Sequence, residues 1–196
     1  MNAKNDIKER LRGLLAPLSA ALERAGATPT AVTVTGLGLS FVGAVVVAGS
    51  RLRAGALLLV LSGICDTLDG SLARRSGTAS RFGAFLDSTF DRVAELAYFS
   101  ALVIYYAGGG AWSGMMILFT LAALAGSFLT SYTRARAEGL GLECRVGLLE
   151  RPERVALLVA GLFLGPLVLG PVIVLLAVMS MYTVVQRILH VRTLTE

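Results

Sequence analysis

The sequence predicts an all-α integral membrane protein in which six transmembrane helices follow an amphipathic interfacial helix. Of its residues, 55% are hydrophobic and 16% are charged, a balance outside the usual range of soluble domains. Uncharged stretches cover residues 31–50, 96–133 and 155–186. Because about 20 apolar residues suffice to span a bilayer, each of the two longer stretches should contain two helices.

Helix-breaking residues indicate where the longer stretches divide. The glycines at 108–110 interrupt one, and the Gly-Pro pairs at 165–166 and 170–171 interrupt the other. A sixth span starts near residue 54 but is apolar for only twelve residues, so it has to extend into a charged segment that begins at Asp66. Charge at that depth is costly and indicates a functional site.

The N-terminal segment, residues 1–27, is predicted to lie on the cytoplasmic membrane surface. Over residues 4–24, leucines fall on one helical face and charged residues fall elsewhere. These leucines are Leu11, Leu14, Leu15, Leu18 and Leu22. A cleaved signal peptide is the alternative, but Pro17 and the Glu23-Arg24 pair interrupt its apolar core. Residues 28–196 then form one membrane domain.

Basic residues predict the orientation in the cell (inner or plasma) membrane. With both termini in the cytoplasm, only Arg51 and Arg53 of the 18 basic residues lie outside, which satisfies the positive-inside rule. The charged segment then faces the cytoplasm. The net charge of +5 indicates contact with anionic lipid head groups and not with nucleic acid.

Four aspartates are predicted to converge on one cleft. Asp66 and Asp69 share one helical face, Asp87 and Asp91 share a face of the next helix, and antiparallel packing would bring both pairs together. Divalent cations would relieve their mutual repulsion, and ligands that are all oxygen suit Mg²⁺ or Mn²⁺. Two such ions can neutralise a diphosphate during displacement at phosphorus.

Small residues accompany the aspartates. Gly70 and Ala73 share the face of Asp66, and Gly83 precedes Asp87 by one turn, which leaves room for a nucleotide against the backbone. Helix packing is the alternative explanation for Ala73. For the aspartates, the alternative is a cation or proton transporter. No charged residue marks a path to the other face of the membrane, which disfavours a transporter.

This segment resembles the signature D-x2-D-G-x2-A-R-x8-G-x3-D-x3-D of the CDP-alcohol phosphotransferases. All eight fixed positions match, and they are Asp66, Asp69, Gly70, Ala73, Arg74, Gly83, Asp87 and Asp91. The resemblance implies a magnesium-dependent membrane transferase of phospholipid biosynthesis that acts on CDP-diacylglycerol, with manganese as a possible substitute. It also implies a homodimer.

The resemblance further implies a role for each matching residue. Asp66, Asp69, Asp87 and Asp91 would hold two metal ions, and Asp91 would be the base that deprotonates the acceptor hydroxyl. The resulting alkoxide would attack the lipid-linked phosphorus and expel CMP. The residues that would contact CDP-diacylglycerol are Thr30, Ala31, Val32, Thr33, Asp69, Gly70, Ala73, Arg74, Ser80 and Gly83. For Ser80, an N-cap role is equally compatible.

The acceptor has to be bound outside the shared signature. The segments 131–138, 150–154 and 185–187 resemble the prokaryotic phosphatidylinositol-phosphate synthases. In that branch Ser131, Arg134, Arg151 and Arg187 would hold the phosphate of inositol phosphate. Each arginine is also compatible with a positive-inside flank.

Two further features bear on the acceptor. Glu95, one helical turn beyond Asp91, stands where some relatives have an aspartate. The resemblance therefore does not establish which residues contact the hydroxyls of the acceptor. Glycerol 3-phosphate, another anionic acceptor, is the alternative to inositol phosphate and would make the protein a phosphatidylglycerophosphate synthase.

Overall fold

The computed structural model describes residues 3–110 and 112–196, with side chains from residue 13 onward. Seven helices and no strand occur in that part of the chain, which confirms the all-α prediction. The helices are α1 (Ala3–Arg24), α2 (Pro29–Ala48), α3 (Leu52–Arg75), α4 (Arg81–Ala107), α5 (Ser113–Gly139), α6 (Arg151–Leu164) and α7 (Pro166–Thr195). Residues 1 and 2 of the predicted N-terminal segment lie outside the described residues.

Helix α1 is the predicted amphipathic helix. Leu15 and Leu22 pack against a small core, whereas Leu14 and Leu18 are 76% and 45% exposed. The core consists of Val32, Leu68 and Leu72. The side chain of Leu11 lies outside the described residues. Some leucines of α1 therefore pack on the protein while others are exposed, as expected for a helix on a membrane surface.

Four helices within the described ranges are long and apolar enough to cross a membrane, namely α2, α3, α5 and α7. Helix α4 contains Asp87, Asp91 and Glu95 in its first fifteen residues. Helix α6 has 14 residues, about 21 Å at 1.5 Å per residue, which is shorter than a hydrocarbon core of about 30 Å. These two helices occupy the positions of the other predicted spans, so six crossings remain a prediction.

The helix breaks lie at glycines. Residues 108–112 separate α4 from α5, and Gly165 separates α6 from α7 with a φ of 94°. The prediction of a second interruption at residues 170–171 is wrong, because Pro171 lies inside α7. Pro171 is only the sixth residue of α7, so its missing N–H removes a single bond, to a carbonyl in the first turn.

The contacts divide the chain into two compact units. One contains the described residues up to Val42 together with Leu58–Ala94, and in it the hydroxyls of Ser40 and Ser62 link α2 to α3 at 2.7 Å. The other contains Gly43–Leu57 and Glu95–Glu196. In that second unit the packing of α5 on α7 is the most extensive helix pairing.

Helices α5 and α7 approach closely at a glycine. A Cβ atom at Gly126 would lie 2.8 Å from the Cβ of Ser180, closer than real Cβ contacts. Gly126 itself is buried. Small residues allow membrane helices to approach in this way, so Gly126 has a packing role.

Gly126→Ala should lower the thermal unfolding temperature of the detergent-solubilised protein, because overpacking costs about 1–3 kcal/mol. Gly114→Ala is the matched control on the same helix, since a Cβ there would meet nothing within 4 Å. Unfolding can be followed by the loss of helical circular dichroism. An unchanged unfolding temperature in Gly126→Ala would contradict the close approach of α5 and α7.

Candidate active site

Three carboxylates from two helices lie together. Asp66 of α3 and Asp87 and Asp91 of α4 each offer an oxygen, and these oxygens all lie within 4.8 Å of one another. All three residues are partly buried. The α-helical spacing places Asp87 and Asp91 one turn apart on the same face of α4. The packing of α3 beside α4 brings Asp66 to them.

Asp69, the fourth predicted ligand, is not a member of this cluster; it lies three residues after Asp66 on α3 and is 6% exposed. Its Oδ2 atom is buried and has no hydrogen-bond partner among the described residues. The Thr33 side chain of α2 lies beside the Asp69 carboxylate. A buried carboxylate oxygen without a protein partner is costly, so a bound ligand at this position would stabilise it.

The residues present fit a divalent cation. The cluster of Asp66, Asp87 and Asp91 supplies only oxygen ligands, the donor set that suits Mg²⁺ and Mn²⁺. Arg92 is a cation near this cluster, with its Nη1 atom 3.6 Å from Oδ2 of Asp91. A metal ion among these three carboxylates would balance the negative charge that they bring together.

The glycines of the signature pack under polar side chains. A Cβ at Gly70 would lie 3.4 Å from Nη1 of Arg74, so the Arg74 guanidinium folds back over the bare backbone one turn earlier. The Ser80 hydroxyl accepts a hydrogen bond from the Gly83 N–H at 3.0 Å. This bond confirms Ser80 as the N-cap of α4. Both polar groups lie in the same unit as the carboxylates.

The start of α2 carries the other residues predicted to contact the nucleotide. Thr28 caps the helix by accepting a hydrogen bond from the Ala31 N–H at 3.2 Å, and Thr30 and Ala31 are exposed. Val32 instead belongs to the buried core. A ligand at this helix end would therefore meet the side chains of Thr30 and Ala31, but not that of Val32.

The residues predicted to hold the acceptor phosphate lie in the second unit. Ser131 and Arg134 are on α5, where the Ser131 hydroxyl donates to the Ser127 carbonyl at 3.2 Å and Arg134 pairs with Glu138 at 2.8 Å. Arg151 is the first residue of α6 and is half-buried. The side chains of the Arg134–Glu138 pair are about half exposed, so breaking the pair to bind an anion would cost little.

Arg187 of α7 is the most buried of these residues, with 3% exposure. Its Nε atom donates to the carbonyl of Val146 at 2.9 Å, and its Nη1 atom donates to the carbonyl of Thr130. The charge of Arg134 is close enough to interact with that of Arg187. The structure therefore brings α5 and α7 together at a site where Arg134 and Arg187 interact with each other and with the carboxylate of Glu150.

Sequence reasoning missed a buried network beside these arginines. Glu95 forms an ion pair with Arg154 at 3.1 Å and accepts a hydrogen bond from Ser127 at 2.7 Å. Glu95 and Arg154 are 8% and 4% exposed. The sequence places Glu95 and Arg154, which have opposite charges, within apolar helices. Their pairing could have been predicted from this, because a buried charge needs a partner.

The chain is similar to a family of known proteins. The sequence profile of the CDP-alcohol phosphatidyltransferase family matches residues 27–189. Phosphatidylinositol phosphate synthase of Mycobacteroides abscessus is 41% identical over 192 residues, which cover 95% of this chain and 87% of that protein. Archaetidylinositol phosphate synthase of Methanothermobacter thermautotrophicus is 35% identical over 191 residues, covering 95% and 93%.

Solved structures show the same likeness. The crystal structure of phosphatidylinositol phosphate synthase from Mycobacterium tuberculosis with CDP-DAG bound has a TM-score of 0.83 at 36% identity, covering 89% of this chain and 92% of that one. A structure of the same synthase with manganese and citrate has a TM-score of 0.84 at 37% identity, covering 90% and 88%.

Asp87→Asn should weaken Mn²⁺ binding measured by electron paramagnetic resonance titration of the purified protein. Losing a direct ligand should cost at least as much as losing an outer-shell partner, which is about 10–100-fold in affinity. Glu143→Gln is the control, because Glu143 is an exposed acid paired with Arg145. Equal affinity in the wild type and Asp87→Asn would show that Asp87 is not a ligand.

Proposed function

Since the chain belongs to the CDP-alcohol phosphatidyltransferase family, we propose that it transfers the phosphatidyl group of CDP-diacylglycerol to inositol phosphate. The products are phosphatidylinositol phosphate and CMP. The observation that carries this proposal is the cluster of Asp66, Asp87 and Asp91, whose oxygens lie within 4.8 Å of one another inside the eight-position family signature. The chain is a multi-pass membrane protein with four apolar helices long enough to span a bilayer.

The donor site is built on α3, the start of α4 and the start of α2. Asp66, Asp69, Asp87 and Asp91 hold two divalent cations, for which Mg²⁺ is the first choice and Mn²⁺ can substitute. When bound, these cations supply positive charge that neutralises the diphosphate. Support comes from the oxygen-only cluster and the manganese-bound relative.

The remaining signature residues bind the nucleotide. Arg74 contacts the diphosphate, for which its always-charged, fork-shaped guanidinium is suited. Gly70, Ala73 and Gly83 leave space for the nucleotide, and the Ser80 hydroxyl reaches it from the start of α4. Thr30, Ala31 and Thr33 contact the cytidine from the start of α2, with Val32 contributing only its main chain.

Asp91 is the base. Its carboxylate takes the proton of the acceptor hydroxyl as that oxygen forms a bond to the lipid-linked phosphorus. The bond from this phosphorus to the CMP oxygen breaks, and CMP leaves with the electron pair. Asp91 is half-buried beside Asp66 and Asp87, and a carboxylate fixed in this way can serve as a general base.

The acceptor phosphate is held by Ser131, Arg134, Arg151 and Arg187. Three arginines within one compact unit support an anionic acceptor. The named relatives make inositol lipid phosphates, and they favour neither glycerol 3-phosphate as the acceptor nor a transporter.

The membrane arrangement has six crossings with both termini and the active site in the cytoplasm, and the protein is a homodimer. Support comes from the distribution of basic residues and from α4 and α6 at the positions of the two further spans. Protease access to a C-terminal tag in inside-out vesicles tests the orientation. Light scattering of the purified protein tests the dimer, and a monomeric mass would overturn it.

CMP release from CDP-diacylglycerol and Mg²⁺ tests the reaction. The purified protein should release CMP with inositol 3-phosphate, and release should be far slower with inositol, glycerol 3-phosphate or serine. Release with none of the four would refute the transferase. Release with glycerol 3-phosphate alone would refute the inositol phosphate assignment.

Asp91→Asn should reduce turnover by about 100-fold or more, the usual contribution of a general base. Binding of CDP-diacylglycerol, measured by calorimetry in detergent, should stay close to that of the wild type, because the other three aspartates and Arg74 remain. Full turnover in this variant would remove Asp91 from the role of base.

A further inference from the structure

Glu95 is fully engaged by protein groups inside the second unit. Its Oε1 atom lies 3.1 Å from Nη2 of Arg154, and its Oε2 atom accepts a hydrogen bond from the Ser127 hydroxyl at 2.7 Å. Glu95, Ser127 and Arg154 are 8%, 0% and 4% exposed. Each oxygen of Glu95 already accepts a hydrogen bond from a buried side chain, so its contacts within the protein account for its position without an acceptor hydroxyl.

A buried ion pair gives little net stability compared with apolar residues of similar size, because both charges lose their hydration. What it does provide is a defined geometry, since moving either partner leaves a charge unpaired in an apolar environment. The network joins α4, α5 and α6. It therefore holds three helices at fixed positions relative to one another.

Two members of the network lie next to predicted acceptor residues. Ser127 uses its main-chain carbonyl to accept a hydrogen bond from the Ser131 hydroxyl, one turn along α5. Arg154 lies three residues after Arg151, on the same side of α6. Fixing Ser127 and Arg154 thus fixes the helix turns that carry Ser131 and Arg151.

Arg154 also holds the segment before α6. Its Nη1 atom donates to the carbonyl of Leu149 at 3.3 Å, and the Leu149 N–H donates to the Thr183 hydroxyl of α7 at 3.3 Å. Three residues earlier, the carbonyl of Val146 accepts the hydrogen bond from Arg187. Residues 146–149 are therefore held between Arg154 and α7, and Arg187 is oriented against them.

From these contacts we propose that Glu95 is a positioning residue for the acceptor, acting through Ser127 and Arg154 on Ser131, Arg151 and Arg187. It sets the spacing of the groups that receive the acceptor phosphate and does not touch the acceptor. The inference rests on the proposed function, because it concerns the acceptor pocket of that reaction.

A pair of serine variants tests the proposal with little risk to folding. Ser127→Ala removes one hydrogen bond to Glu95 and should raise the KM for inositol 3-phosphate by about fivefold, the effect of one typical hydrogen bond. The KM for CDP-diacylglycerol should not change. Ser180→Ala is the matched control, because Ser180 is also 0% exposed and its hydroxyl has no partner among the described residues.

Glu95→Gln removes the charge and should raise the acceptor KM by about tenfold or more, as expected for a hydrogen bond between charged groups. If this variant is too unstable to purify, Glu95→Gln/Arg154→Gln leaves no unpaired charge and gives the same readout. In the double variant the acceptor KM should stay raised even where the unfolding temperature recovers.

The outcomes separate this inference from the function it rests on. An inactive wild type with every acceptor refutes the proposed function. An active wild type with an unchanged acceptor KM in Ser127→Ala and in the Glu95 variant overturns the positioning role. Equal increases in the KM values of donor and acceptor overturn it too, because they would indicate a general loss of structure.

Discussion

A charge buried among apolar helices has to be neutralised, and the two units of this protein meet that requirement in different ways. In the first unit, Asp66, Asp87 and Asp91 form an oxygen cluster suited to divalent cations. In the second unit, Glu95 and Arg154 neutralise one another at 3.1 Å. The first arrangement can take up a cation and so suits the proposed chemistry, whereas the second pairs two charges within the protein and suits the proposed positioning role.

The segment between α5 and α6 shows how irregular backbone is kept in place in such a protein. Residues 140–150 form no regular helix, and their polar main-chain groups need partners. Arg187 and Arg154 donate to the carbonyls of Val146 and Leu149, and Thr183 and Gln186 accept from the N–H groups of Leu149 and Leu148. Arg187, which the sequence resemblance assigns to a phosphate pocket, thus also supports the loop that precedes α6.

The residues proposed to bind the donor and those proposed to bind the acceptor lie in different parts of the chain, for a chemical reason. In the proposed reaction, the signature from Asp66 to Asp91 supplies both the charge neutralisation and the nucleotide contacts that a CDP-linked donor needs. The acceptor differs between members of the family, so its recognition depends on side chains outside the signature. In the proposed function those side chains come from α5, the start of α6 and α7.

The sequence by itself determined the helical class, the break at residues 108–110, the cap at Ser80 and the helical faces that carry the aspartates, because each depends on residues close together along the chain. It also predicted an interruption at residues 170–171 that the structure lacks, since a proline near a helix start costs only one bond. Only the tertiary structure decided that Val32 faces the core and that Glu95 meets Ser127 and Arg154. Those pairings join residues 32 to 59 positions apart, and packing between helices, which no local pattern encodes, brings them into contact.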